Sequence, residues 1–408
     1  MNRERLLNRF LQYVKIDTMA NDHTDEYPSS PGQWDLARLL EKQLQEMGAK
    51  DVELSSHGIV VATIPGNVAT APTIAFNAHL DTSPETSAHN VDPQVIRQYG
   101  GGDIPLAPGS DKIITVSKCP ELLEMVGKTL ITTDGNTLLG GDDKAGVAII
   151  MEIAQHLLEN PHIPRGDLRV IFTCDEEIGR GTAHVDIEHV NAVACYTFDG
   201  GGQNNIDIET FSADSVTLTF HGANIHPAIA KDKMINALRI AGNFLARLPS
   251  ELSPERTAGR EGFIHPYQFE GTVASATIRA ILRSFDTPQL DVYAAQLNQL
   301  ATEVVAEYPG SSFTLQVHRQ YRNLNDGLKQ HPKVVELAVK AHERLGRKPK
   351  LEIIRGGTDG SQFTEKGLPT PNLSSGQHNI HSPLEFACLD EMLAACEVGV
   401  ELVKAWGE

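Results

Sequence analysis

Histidine and carboxylate side chains recur in this sequence where a polar cluster follows an apolar run and precedes a glycine or a turn. Such positions are expected for loops at the carboxyl ends of strands, where open α/β sheets place their ligand sites. Imidazole and carboxylate ligands without thiolate suit zinc, manganese or cobalt. The pattern therefore indicates a site for two metal ions. The residues are His79 and Asp81 in AFNAHLDTSP, Asp142 in LLGGDDKAG, Glu176 and Glu177 in FTCDEEIG, Asp199 in YTFDGGG, and His381 in HNIHSPLEF.

Taken one at a time, these clusters have simpler interpretations. A His-x-Asp pair is often incidental, a DEE triplet is usually a solvated charge run, and Asp before Gly commonly forms a turn. His79 and Asp81 lie two residues apart, so on an extended strand they point to the same side, and Asp81 can fix the tautomer of the imidazole. Asp81 is therefore predicted to support a ligand rather than to be one.

Asp142 opens the segment DDKAGVAIIMEIAQHLLEN, which we predict to be an amphipathic helix because its apolar residues recur at intervals of three and four. A carboxylate at the positive amino end of a helix is stabilised, and one aspartate can bridge two cations through its two oxygens. The alternative is that Asp142 and Asp143 only cap the helix. Gly140 and Gly141 favour a site, because they let backbone approach closely.

Glu176 and Glu177 follow LRVIFTC, an apolar and β-branched run typical of a strand buried on both faces. Adjacent side chains diverge, so one carboxylate can bind metal while its neighbour faces the substrate. Metal-assisted hydrolysis needs this division, with ligands that hold cations and a free carboxylate that takes a proton from the attacking water. Asp199 ends a further strand, VACYTF, and would supply a terminal ligand.

Composition excludes several classes of protein. The formal charge of −18 argues against nucleic acid or an anionic membrane surface as a partner. The five cysteines show no CxxC spacing, which predicts reduced thiols. No apolar stretch approaches the roughly 18 residues of a membrane span. The opening MNRERLLNRFLQYV predicts an amphipathic helix without a signal-peptide core, so we expect a soluble cytoplasmic protein.

The order of predicted elements indicates an inserted domain. Strands and helices alternate over 1–209 and again over 323–408, which predicts an α/β catalytic domain with a doubly wound, mostly parallel sheet. Residues 210–322 instead read as β-α-β-β-α-β, the order of a ferredoxin-like α+β sandwich. The catalytic domain is thus predicted to be discontinuous, with 210–322 forming a lid.

Motifs along nearly the whole chain resemble those of the dinuclear zinc metallopeptidases, a family that includes tripeptide-cleaving aminopeptidases, carboxypeptidase G, dipeptidases and succinyl-diaminopimelate desuccinylase. The resemblance implies a tripeptide aminopeptidase that releases the amino-terminal residue of short peptides. The motifs, in order, are SPGQWDLARLL, HLDTSP, YGGGDI, ITTDGNTLLGGDDKAG, DEEIGRG, DGGG, INAL, RGGTDG and HSPLEF.

The same resemblance implies a role for each residue at the site. Two Zn2+ per subunit are implied, with Mn2+ or Co2+ as substitutes. Their ligands would be His79 and Asp199 for one ion, Glu177 and His381 for the other, and Asp142 bridging both. Glu176 would be the general base and Asp81 the partner of His79. The spacing to the Glu-Phe pair selects His381 over His378, and the family further implies a cis Asp142-Asp143 bond.

The resemblance also implies residues that recognise substrate. His226 in the lid would donate to the oxyanion of the tetrahedral intermediate. Ala228 and Asp232 stand where the family usually has glycine, which predicts a changed loop because alanine resists positive φ. Independently of the resemblance, Arg283 and Arg355 could bind the carboxylate of a short peptide, because guanidinium forks suit carboxylates; Arg283 could equally be a surface charge. Relatives that dimerise through the lid make a homodimer an expectation.

Rival functions use the same residues. A dipeptidase, a carboxypeptidase or an N-acyl amino acid deacylase would share the ligands, since the ligands dictate hydrolysis and not which amide is cut. A two-metal phosphoesterase would also use carboxylates and histidines. A non-catalytic metal-containing binding protein would have no use for a free carboxylate at Glu176.

Overall fold

The computed structural model describes residues 1–107 and 111–408. The first two helices begin at residues that favour a helix start: Asn2 accepts a hydrogen bond from the Arg5 amide, and Pro31 occupies the first turn of its helix. The helices are α1 (Arg3–Val14), α2 (Pro31–Met47), α3 (Gly141–Glu159), α4 (Ile187–Val190), α5 (Ala237–Arg247), α6 (Gln289–Ala306), α7 (Asn325–Leu328), α8 (Pro332–Arg344), α9 (Asp359–Glu365) and α10 (Leu389–Gly407). Within these described helices, none is both long and apolar enough to cross a membrane.

The buried central strands follow apolar runs of the sequence. The strands are β1 (Lys50–Leu54), β2 (Val60–Ile64), β3 (Ile74–His79), β4 (Gln94–Ile96), β5 (Ile104–Pro105), β6 (Ile113–Ile114), β7 (Leu130–Thr132), β8 (Leu168–Thr173), β9 (Cys195–Gly201), β10 (Asn205–Thr210), β11 (Ser212–His221), β12 (Phe263–Gly271), β13 (Ser275–Ser284), β14 (Ser312–Tyr321), β15 (Lys350–Ile354), β16 (Asn372–His378) and β17 (Phe386–Cys388).

The described chain divides into two compact units. The first comprises Met1–Ile208, Gly327–Ile353 and Thr358–Glu408, and the second comprises Glu209–Asp326 with Ile354–Gly357. The first unit is thus discontinuous in sequence. The short return of 354–357 to the second unit brings Arg355 into that unit.

In the first unit, one large mixed sheet has the order β1-β2-β8-β3-β9-β16-β17-β7-β4, with β10 and β15 added through β16. Its central strands run parallel, since β3 pairs in parallel with β8 and β9, and β9 with β16. The outer pairs are antiparallel. Every residue of β3 is buried, as expected for a central strand covered on both faces. The predicted α/β class is therefore confirmed.

The helix that follows Asp142 is present as α3, but its predicted amphipathic character is wrong. It is buried all round from Gly141 to Ala154. Its polar side chains have partners within the unit instead of solvent: Lys144 donates to the Ile16 carbonyl, and Glu152 accepts from Arg5. The polar residues of α3 have the spacing expected of a solvent-exposed face, but they pack against other parts of the unit.

The second unit has the order β11-α5-β12-β13-α6-β14, the ferredoxin-like order expected from the sequence. Its four strands form an antiparallel sheet in the order β12-β13-β11-β14. Both helices pack on the sheet around a separate apolar core that includes Leu218, Phe220, Phe244, Ile278 and Leu297. This unit therefore has a core of its own.

Candidate metal centre

The candidate ligands lie at one edge of the central parallel strands. β3 ends at His79, which is paired with Thr173 at the end of β8. Asp199 lies in β9, the other neighbour of β3, and β16 ends at His378, shortly before His381. Because the carboxyl ends of parallel strands meet at the same edge, segments that are distant in sequence converge there.

Asp142 lies between two imidazoles. Its Oδ1 is 3.0 Å from Nε2 of His79, and its Oδ2 is 3.1 Å from Nε2 of His381. Burial raises the pKa of the Asp142 carboxyl, but the hydrogen bonds to His381 and His79 outweigh it and hold that pKa below its usual range. Its two oxygens are thus directed toward different histidines, which is the geometry that a bridging carboxylate requires.

Two further carboxylates flank this arrangement. Oδ1 of Asp199 lies 3.8 Å from Nε2 of His79, and Oε2 of Glu177 lies 3.0 Å from Nε2 of His381. Ligand atoms of His79, Asp142 and Glu177 all lie within 4.8 Å of one another. Asp142 therefore contacts both histidines, with Asp199 beside His79 and Glu177 beside His381, and the ligand atoms of Glu177 also lie near His79.

The charges of the cluster suit divalent cations. Burial raises the pKa of Glu177 to about 7 and raises that of Asp199 well above its usual value. Burial lowers the pKa of His381, but hydrogen bonds to Asp142 and Glu177 outweigh it and raise the pKa to about 11. These groups therefore bind protons more tightly than usual, and protons reduce the repulsion between the clustered carboxylates. Bound cations would reduce the same repulsion. Oε1 of Glu177 is buried without a hydrogen-bond partner, so the donor set fits a metal that would take this oxygen.

Asp143 is a member of the cluster that the sequence alone assigned only to capping. The backbone of Asp142 and Asp143 is non-helical, and Oδ1 of Asp143 accepts from the Gly146 amide at 3.1 Å, where the regular part of α3 begins. Its Oδ2 also accepts from the His79 amide at 3.3 Å, and its ligand atoms lie within 4.8 Å of those of His79 and Asp199. The bond between Asp142 and Asp143 is cis, as the resemblance implied.

Asp81 makes the predicted contact with His79 and a second one that was not predicted. Nδ1 of His79 lies 3.1 Å from the Asp81 carbonyl and 3.4 Å from its Oδ1. The Asp81 carboxylate, which is fully buried, also accepts from the amides of Glu176 and Glu177 at 3.0 Å each. Asp81 therefore orients an imidazole and holds the turn that carries both glutamates.

Glu385 is a site residue that sequence reasoning missed. Its Oε2 accepts from the amides of Leu139 and Gly140 at 2.7 and 2.8 Å, and its Oε1 accepts from the amide of Asp142 at 3.0 Å. Burial raises the pKa of this carboxyl to about 7 despite these bonds. Its only sequence signal is the Glu-Phe pair of HSPLEF, which served to select His381. Glu385 fixes the backbone that presents Asp142.

Replacing Glu385 by Gln is expected to weaken both the fold and the site, because an amide cannot accept all three backbone bonds without placing its own N–H groups against other donors. We expect the free energy of unfolding of the metal-free protein to fall by about 2 to 3 kcal/mol. Zinc affinity should fall roughly tenfold or more. Urea unfolding and zinc titration measure both, with Glu336→Gln on the exposed side of α8 as a control. An unfolding free energy within about 0.5 kcal/mol of the wild type would contradict this role.

The two nearby histidines have different surroundings. His381 is directed at Asp142 and Glu177, while its Nδ1 lies 3.3 Å from Oε2 of Glu85. Nε2 of His378 instead donates to Oε2 of Glu391 at 2.8 Å, and its ring stacks on Phe386 with ring centroids 4.7 Å apart. Of these two histidines, the structure brings His381 into the cluster.

His226 belongs to the second unit and is exposed. It precedes a short turn, Pro227–Ile229, and its Nδ1 accepts from the Ala228 amide at 3.2 Å. Ala228 has no positive φ, so it does not disturb this turn, whereas Asp232 adopts a φ of 62°. Asp tolerates that conformation better than most residues, which explains how it replaces glycine.

Arg283 and Arg355 also belong to the second unit, and Nη1 of Arg283 lies 3.3 Å from the Arg355 carbonyl. The Arg355 guanidinium donates to the carbonyls of Gly259 and Glu261 at 2.8 and 2.7 Å and lies 5.0 Å from the ring centroid of Phe211. Its donors thus anchor a loop of its own unit, a tertiary role that its sequence neighbours do not reveal. Nε of Arg283 is buried without a partner.

Comparison with known proteins places the chain in a class of metallohydrolases. Residues 132–405 match the model of Peptidase family M20/M25/M40, and the chain belongs to this family. It is therefore a peptidase, a hydrolase that cleaves amide bonds, and the resemblance seen in the motifs is confirmed.

Particular relatives narrow the likeness further. The chain is 42% identical over 403 residues to Peptidase T of Geobacillus thermodenitrificans, with 98% of each chain covered. Its fold is similar to that of aminopeptidase PepT from Bacillus cereus, at a TM-score of 0.77, 24% identity and full coverage of both chains. It is also similar to that of a dinuclear metal binding peptidase from Bacillus subtilis, at a TM-score of 0.67, 16% identity, and coverage of 98% of this chain and 97% of the other.

Proposed function

We propose that this chain is a tripeptide aminopeptidase that releases the amino-terminal residue of short peptides. The observation that carries the proposal is Asp142, whose two oxygens face His79 and His381 from opposite sides of one carboxylate. The 42% identity to Peptidase T over 98% of both chains supports the choice of substrate class. A cytoplasmic location and a homodimer remain predictions.

Two divalent cations would be held by the clustered side chains. His79 and Asp199 would hold one, Glu177 and His381 the other, and Asp142 both. Zn2+ suits these ligands, and Mn2+ or Co2+ would serve as substitutes. When bound, such a pair lowers the pKa of a water molecule and polarises a carbonyl oxygen.

Glu176 is proposed as the general base. Its carboxylate makes none of the contacts that join the five ligand candidates, and burial raises its pKa well above the usual value. Its backbone amide is held by Asp81, so the main chain that carries the side chain is held in place. Glu176 would take a proton from the attacking water and pass it to the amine that leaves.

Residues of the second unit are proposed to recognise the substrate. His226 would donate to the oxyanion, and its exposed ring is available to do so. Arg283 would bind the peptide carboxylate through a guanidinium that retains a buried donor without a partner. For Arg355 the same role would require exchange of its bonds to the loop carbonyls of Gly259 and Glu261.

His226→Ala is expected to lower kcat by about 100-fold, the usual cost of losing one oxyanion donor. The melting temperature should not change, because the ring is exposed and its one intramolecular bond is local. Steady-state kinetics on a free tripeptide and thermal melting test this, with the exposed His318→Ala on β14 as the matched control. A kcat within about threefold of the wild type would exclude the oxyanion role.

A substrate panel tests the proposed function itself. The zinc-loaded protein is incubated with a free tripeptide, the corresponding dipeptide, the amino-acetylated tripeptide and a phosphate ester. Release of the amino-terminal residue from the free tripeptide alone is expected. Cleavage of the dipeptide or acetylated peptide in its place would assign a dipeptidase, carboxypeptidase or deacylase, and hydrolysis of the ester alone would assign a phosphoesterase.

A further inference from the structure

The turn Cys174–Gly181, which we call the base turn, carries both Glu176 and Glu177. Asp81 holds its two glutamate amides from one side. A second attachment comes from the segment Tyr27–Gln33, which contains part of the SPGQW motif at the start of α2. Nothing in the metal cluster or in the proposed reaction uses that motif.

Asp175 joins this segment to the base turn. It is fully buried and has a φ of 61°. Its Oδ2 accepts from the Ser29 amide at 2.8 Å, and its Oδ1 accepts from the Gln33 Nε2 at 2.6 Å and from the Ser29 hydroxyl. Its own amide donates to Oε1 of Gln33 at 3.1 Å. Gln33 is also fully buried. Its carboxamide thus hydrogen-bonds to both the side chain and the backbone of Asp175, the residue before Glu176.

The two ends of the base turn are joined by the same segment. The hydroxyl of Tyr27 lies 3.0 Å from the Cys174 carbonyl and 3.3 Å from the Gly181 carbonyl. The segment itself has little freedom, because a Cβ at Gly32 would lie 1.6 Å from the Asp17 carbonyl oxygen. The base turn is therefore held by a distant part of the chain, since Gln33 and Asp175 are 142 residues apart in the sequence.

We propose that Gln33 and Asp175 are positioning residues that aim the Glu176 carboxylate at the reacting centre; this inference rests on the proposed function. Glu176 and Glu177 both follow residue 175 in the same turn, so a rotation of the backbone at residue 175 would move both side chains. Glu177 is also restrained through His381 at 3.0 Å, whereas none of the hydrogen bonds described above restrains the side chain of Glu176. Loss of the Gln33 contacts should therefore affect the base more than the metal ligand.

The test replaces Gln33 by Met, which fills a similar volume and removes the hydrogen bonds. Misplacement of a reacting group by about 1 Å costs roughly 100-fold in rate, so we expect kcat on a free tripeptide to fall by about 10- to 100-fold. KM should stay within about twofold, and two zinc ions per chain should be retained. In the metal-free protein, hydrogen–deuterium exchange should accelerate in the peptide covering 174–181 and not in the central strands.

Three comparisons decide the outcome. Gln45→Met, on the exposed side of the same helix, controls for the substitution and should behave as the wild type. If Gln33→Met fails to fold, Ser29→Ala replaces it. This substitution removes the hydroxyl that donates to Asp175 and accepts from the Asn21 amide and from Gln33, while the Ser29 amide still donates to Asp175. A kcat unchanged in the folded variant would overturn the inference. If the wild type itself cleaves no amide while Glu176→Ala behaves identically, the proposed function fails and the inference with it.

Discussion

Asp142→Asn is expected to abolish peptide hydrolysis and to weaken both metal sites at once. One carboxylate faces His79 and His381 through separate oxygens, and an amide offers only one oxygen to a cation. Charge stabilisation by the cations contributes several kcal/mol, so the loss should be roughly 1000-fold or more in kcat/KM. Metal content after exhaustive dialysis and kinetics at saturating zinc measure the two effects.

His381→Ala provides the comparison for this result. It removes a ligand on the Glu177 side only, so one zinc per chain should be retained by His79, Asp142 and Asp199. Retention of two tightly bound zinc ions by Asp142→Asn would contradict the bridging role, whatever its activity.

Glu176→Gln is expected to leave the metals in place and to remove the base. The substitution keeps the size of the side chain and the backbone bond to Asp81, so neither the turn nor its zinc should change. A general base contributes about 100- to 10,000-fold, and kcat should fall within that range with KM little altered. Kinetics and zinc analysis of the same preparation test both statements.

The next residue supplies a matched control. Glu177→Gln makes the same chemical change one position along, but Oε2 of Glu177 contacts His381, so this variant should lose zinc as well as activity. Equal zinc loss in both variants, or full activity in Glu176→Gln, would show that the two glutamates do not divide the roles as proposed.

The positions of His79, Glu177 and Asp199 could be predicted because each lies near the carboxyl end of a buried strand or just after it. The carboxyl ends of neighbouring parallel strands lie at the same edge of a sheet. His79, Asp199 and the turn after β8 were therefore expected to lie close together once the strands were recognised. The spacing of His79 and Asp81 likewise predicted their contact. Selection of His381 over His378 depended on the resemblance, since both histidines lie in one loop.

Other features depend on contacts that local sequence does not encode. Glu385 accepts from amides more than 240 residues away, and its separation from Leu139 is 246 residues. A buried carboxylate whose partners are backbone amides has no sequence motif of its own. The apolar spacing of α3 resembles that of a surface helix. The helix is nevertheless buried, because residues of α1 cover its polar side chains, such as Glu152. Arg355 looked free for substrate because its partners at 257–261 are brought to it by the fold.

The central claim is that one aspartate is shared by two metal ions, and anomalous diffraction from zinc-loaded crystals tests it most directly. The account predicts two zinc peaks roughly 3.5 to 4 Å apart, the separation usual for two-metal sites. One oxygen of Asp142 should bind each ion, with His79 and Asp199 on one side and Glu177 and His381 on the other. A single peak, or two peaks of which only one contacts Asp142, would contradict the account.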